Sequence, residues 1–157
     1  MTPHTEGRSR EEGRAVTSTI APPVAGFVPR AAGTMCAPVA ADIEEAARMG
    51  PRFARVFLCD GDALILPTRK LLRVLEAIRE KLPWVERVGV YGDTRCVARK
   101  STLELKELRE AGLGIVYHGM ESGDDETLRR IDKGGTAAEC ITTADKLRQA
   151  GISHSVM

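Results

Sequence analysis

From about residue 39 onward the sequence switches repeatedly between two hydrophobic periods, and this alternation limits the chain to very few folds. Short apolar runs of the buried-strand type occur at 55–59, 85–91 and 113–117, and a last one opens at Ile152. Between them lie segments with a helical stripe. The clearest covers 69–82, where Leu71, Leu72, Leu75, Ile78 and Leu82 recur at 3.6-residue spacing. A first helix is expected over 39–49, ended by Gly50-Pro51. Thr68 and Ser101 are placed to cap the second and third helices. Thr136, with Glu139 three residues on, is placed to cap a helix reaching about residue 150. The stretch 113–135, LGIVYHGMESGDDETLRRIDKGG, shows the unit once in full. A strand runs into a polar turn, Asp124 or Asp125 caps the helix, and Leu128 and Ile131 are expected on its inner face. Strict strand–helix alternation with short loops predicts an α/β fold, a parallel sheet of about four strands alternating with helices. Four strands do not close an eight-stranded barrel, and no helix follows the last, so part of a larger α/β unit is expected.

Charge excludes little and favours little. Lys and Arg number 23 against 22 Asp and Glu, a net charge of +1. Nothing in that balance signals nucleic acid or an anionic membrane. No apolar run approaches the roughly 20 residues of a membrane span. The first residues lack the apolar core of a secretory signal, so the cytoplasm is the expected compartment. Residues 1–37, rich in Gly, Pro, Ser, Thr and Arg, are expected to form a disordered arm before a domain spanning 38–157. The four cysteines, Cys36, Cys59, Cys96 and Cys140, are widely spaced and signal neither a zinc site nor a disulfide framework.

Ligands of parallel α/β sheets gather at the carboxyl ends of the strands. Three such ends are polar here: Asp60-Gly61-Asp62, Asp93-Thr94-Arg95 and Glu121-Ser122. Carboxylates so placed can hold an ammonium or ribose hydroxyls, or act as general acid or base. They can equally cap the turns they begin. Gly61 and Gly123 allow close backbone approach. His118, Cys59, Cys96 and Trp84 are read as packing or hydrogen-bonded structural residues. No glycine-rich phosphate loop is present.

The runs ARVFLCDGDALILPTRKLLRVLEAIREKLPWVERVGVYGDTR and ESGDDETLRRIDKG closely resemble the radical S-adenosylmethionine (radical SAM) superfamily, in particular its elongator and coproporphyrinogen-oxidase-like branch. The resemblance implies a partial (β/α)6 TIM-type barrel carrying S-adenosylmethionine and a [4Fe–4S] cluster, whose chemistry yields a 5′-deoxyadenosyl radical. By position it implies that Asp60, Gly61 and Asp62 form the turn that meets the methionyl ammonium, with Asp62 in the acidic place. Glu121 and Ser122 correspond to residues facing the nucleoside. The cluster motif CxxxCxxC is absent, so a fragment is expected, catalytically incompetent as this chain and without metal ligands of its own. Two other functions fit the residues: a non-catalytic α/β module binding a nucleotide or S-adenosylmethionine, and a different barrel-type enzyme using the rim carboxylates for acid–base work. Substrate and oligomeric state are not readable.

Overall fold

The structure, a computed structural model, describes residues 37–157. The expected arm lies outside the described residues except for Ala37, which opens helix α1 (Ala37–Met49). The helix thus starts two residues before the expected position, since Pro38 in a first turn forfeits no helical hydrogen bond. Then follow β1 (Arg55–Asp62), α2 (Thr68–Lys81), β2 (Arg87–Gly92), α3 (Thr94–Ala98), α4 (Thr102–Glu110), β3 (Leu113–His118), α5 (Asp125–Arg130), α6 (Ala137–Gln149) and β4 (Ser153–Val156). The strands form one sheet in the order β1-β2-β3-β4, every neighbouring pair parallel.

Helices α1, α2, α4 and α6 form a layer on one side. α1 packs on α2, α2 on α4, and α4 on α6. Val56, Leu58, Val88, Val90 and Val116 alternate onto that side and are buried beneath Leu71, Leu75, Ile78, Leu105, Leu108 and Leu147. Leu72 and Ile115, expected in the same core, are only half-buried. The opposite face carries an aromatic ladder. Phe57 meets Tyr91 and Tyr117 edge-on at centroid distances of 4.7 and 5.4 Å. Gly89 leaves the room for it, because a Cβ there would stand 3.0 Å from the Phe57 ring. Tyr91 is 44% exposed, so this face has no layer over it among the described residues.

Local chemistry explains where the elements begin. Ser101 with Glu104, and Thr136 with Glu139, form complete capping boxes. Asp124, one of the two expected caps, accepts from Thr127 N. Thr68 does not cap α2. Pro67 holds that position, and the Thr68 hydroxyl donates instead to Glu104 Oε1 at 2.7 Å. Ile131 is 53% exposed because α5 ends at Arg130, one residue before the expected inner face could continue. The segment after β2, expected as a turn, contains the short helix α3, capped by Asp93.

Candidate functional site

The polar residues after β1, β2 and β3 share the carboxyl-end rim of the sheet. β1 extends further than its apolar run suggests. It continues through Asp60 and Gly61 to Asp62, with an irregular register after Leu58. Gly61 stands at φ +76°, a backbone conformation side chains disfavour, and this lets the strand bulge and turn the Asp62 carboxylate toward β2. Asp62 Oδ1 accepts from Leu64 N and Oδ2 from Asp93 N, both at 2.8 Å. One carboxylate therefore caps the 3-10 turn Ala63–Ile65 and ties the end of β1 to that of β2.

Asp93 repeats the device one strand along, accepting from Cys96 N at 2.8 Å. Burial alone would raise its pKa, but the Cys96 N–H and the Arg95 guanidinium hold the carboxyl below its ordinary value. Arg95 lies 3.6 Å from Asp93 and flat against Gly134, where a Cβ would come within 2.5 Å of the guanidinium carbon. Asp62, Asp93 and Cys96 bring their ligand atoms within 4.8 Å of one another. The Cys96 thiol is pushed up to about 12 by burial and by the neighbouring Asp62 and Asp93 carboxylates, so it is protonated at neutral pH.

Glu121 and Ser122 do not join this group. Glu121 has a left-handed backbone at φ +64° and pairs with Lys133 at 3.1 Å. Ser122 Oγ accepts from Asp124 N at 3.1 Å. The rim thus has two polar stations, one at β1–β2 and one after β3.

Between them His118 closes β3, 1% exposed. Its Nε2 lies 2.8 Å from the Thr94 hydroxyl, which in turn lies 3.3 Å from Cys140 Sγ. Nδ1 is buried without a partner. Burial, then the nearby His154, lowers the His118 pKa, against the opposing pull of Asp93 and Asp62. The folded value lies below the ordinary 6.5, so the unfolded chain takes up the proton first as pH falls. Stability is therefore fully present above about pH 6.5 and declines from there toward the folded pKa. The melting temperature is expected to fall between pH 7 and 5.5, and His118→Gln is expected to flatten that dependence. Thermal melts across the range check it.

The parallel sheet and its alternating helices agree with what the chain resembles. Residues 37–157 match the sequence profile of the Radical SAM superfamily. The chain belongs to this superfamily. No curated protein matches it in sequence. Among solved structures, the cobalamin-dependent S-adenosylmethionine radical enzyme OxsB with aqua-cobalamin bound superposes with a TM-score of 0.62 at 17% identity, over 76% of this chain and 19% of that one. Methylornithine synthase (PylB) gives 0.59 at 16% identity, over 83% and 36%. Coproporphyrinogen III oxidase (HemN) from Escherichia coli, a radical SAM enzyme, gives 0.58 at 16%, over 75% and 28%. At such identities the likeness is one of fold, a partial TIM barrel. The chain spans between a fifth and about a third of these proteins.

Radical SAM proteins bind S-adenosylmethionine and a [4Fe–4S] cluster. The two groups fit the described residues differently. An ammonium fits Asp62, because its two carboxylate oxygens offer about four acceptor positions, of which the Leu64 and Asp93 N–H groups and the Cys96 thiol use three. A cluster does not fit. It needs several thiolates, yet the one close group of potential metal ligands among the described residues contains a single Cys. Cys140 is spent on Thr94 on the helix side of the rim.

Proposed function

We propose that this chain is a partial radical SAM domain that retains the S-adenosylmethionine-binding rim and does not itself generate the radical. The observation that carries this reading is the Asp62 carboxylate, fixed by two backbone N–H groups at the end of β1 with acceptor capacity left over. Asp60, Gly61 and Asp62 form the station for the methionyl ammonium. Glu121 and Ser122, across the rim, form the station for the nucleoside. The alternative, a non-catalytic module binding a nucleotide or S-adenosylmethionine, rests on the same rim and shares the binding step. Binding is expected to be weak, because an anchor that the cluster gives in the intact family is missing from these residues.

Isothermal titration of the purified chain with S-adenosylmethionine tests the reading. Asp62→Asn is expected to weaken binding about tenfold or more, since a hydrogen bond to a charged group contributes about 1.5–3 kcal/mol. S-adenosylmethionine binding that is indifferent to Asp62→Asn, or no binding at millimolar ligand, would remove this station from the proposal.

A further inference from the structure

The rim contains a buried cation that the reading above does not use. Lys100 lies between α3 and α4, 6% exposed. Lysines this covered are rare unless paired, because removing an ammonium from water is costly. Its Nζ donates to the Leu66 carbonyl at 2.8 Å and to the Thr68 hydroxyl at 3.3 Å. Thr68 passes the link on to Glu104 Oε1, and Glu104 Oε2 accepts from Ser101 N at 2.8 Å. A chain of hydrogen bonds thus runs from the segment after β1 to the start of α4, spanning more than 30 residues of sequence.

The segment it grips is the one Asp62 caps. Leu66 ends the 3-10 turn by donating to the Ala63 carbonyl, and Asp62 begins it by accepting from Leu64 N. Within the turn Leu64 is the buried anchor, while Ile65 points outward, exposed. Apolar packing therefore fixes the middle of this segment, and Lys100 fixes its far end. A methionine of similar length would fill the same space without the cost of a buried charge. What the ammonium adds is a demand for one turn conformation, the one in which the Leu66 carbonyl faces it.

We infer that Lys100 is the positioning residue of the Asp62 carboxylate, holding the 62–68 segment so that the carboxylate stands between Leu64 N and Asp93 N at the rim. Its bearing on ligand binding rests on the role proposed for Asp62, whereas its bearing on the turn does not.

Two readouts separate these. Amide hydrogen exchange by NMR reports the two N–H groups bonded to Asp62. In Lys100→Met, exchange at Leu64 and Asp93 is expected to accelerate at least tenfold relative to Val90 and Val116 in the central strands. In Lys100→Arg, which keeps a cation and donors, the acceleration is expected to be no more than threefold. Leu147→Ala serves as a control destabilised elsewhere, and its Leu64-to-Val116 ratio is expected to stay as in wild type. Titration of K100M with S-adenosylmethionine is expected to show about tenfold weaker binding. If wild type binds none, the ligand reading fails while the exchange ratio still decides the role of Lys100. Should K100M not fold, Thr68→Val removes one of the two acceptors and is expected to accelerate Leu64 about threefold. Exchange at Leu64 and Asp93 that rises no more than at Val90 and Val116, in whichever of these variants folds, overturns the inference.

Discussion

Leu75→Ala is expected to destabilise the domain by about 2–5 kcal/mol. Leu75 sits at the centre of α2, 0% exposed, in the cluster formed with Leu71, Ile78, Val56 and Leu58. Truncation removes the transfer free energy of three carbons and leaves a cavity that close-packed neighbours refill only in part. The upper half of the range applies if α2 is held rigidly, and the contacts with α1 and α4 on either side favour that. Urea unfolding followed by circular dichroism measures the change directly. A loss below about 0.5 kcal/mol would mean that this face of α2 does not pack on the sheet. Leu72, three residues earlier and only half-buried, is expected to cost clearly less when truncated, which makes the pair an internal check on the helix register.

No 5′-deoxyadenosine is expected when the purified, iron–sulfur-reconstituted chain is incubated with S-adenosylmethionine and dithionite. The reason is the donor set. Among the described residues the one close group of potential metal ligands holds a single cysteine, Cys96, and Cys140 is buried against Thr94. The sequence contains no CxxxCxxC to supply another set. Addition of a strand bearing such a loop before α1 is expected to be necessary for product. Chromatography against a protein-free control checks both outcomes. Product from the unaltered chain would overturn the proposal and direct attention to Cys36, Cys59 and Cys96 as ligands of an unusual site.

The two expectations rest on features that the sequence shows to different degrees. The core of α2 was legible because burial of a helix face leaves a 3.6-residue stripe in the sequence itself, and Leu71, Leu75, Ile78 and Leu82 are all buried. Where the stripe misled, at Ile131, the helix ended one residue short. Capping residues were legible for the same reason of locality. Ser101 with Glu104 and Thr136 with Glu139 act across three residues, so their hydrogen bonds are a property of the segment. Thr68 does not follow this local rule, because Pro67 holds the cap position and a tertiary partner, Glu104, takes the Thr68 hydroxyl.

The site was legible only as a rim. Alternating strands and helices determine that Asp62, Asp93 and Glu121 follow strands and so lie at one end of a parallel sheet. Which of them meet was decided by tertiary structure. Asp62 reaches Asp93 across 31 residues because Gly61 bulges β1 toward its neighbour, while Glu121 turns away to Lys133. Lys100 on Leu66, and Thr94 between His118 and Cys140, carry no sequence signal, since hydrogen bonds between distant segments obey no spacing. The aromatic ladder of Phe57, Tyr91 and Tyr117 belongs to the same class, three unremarkable alternations until strand register sets the rings side by side. The sequence by itself determined the elements and their order, because propensity, capping and hydrophobic period act over a few residues. Tertiary structure decided the partners of each polar group, because the register and bulges of the strands set those distances.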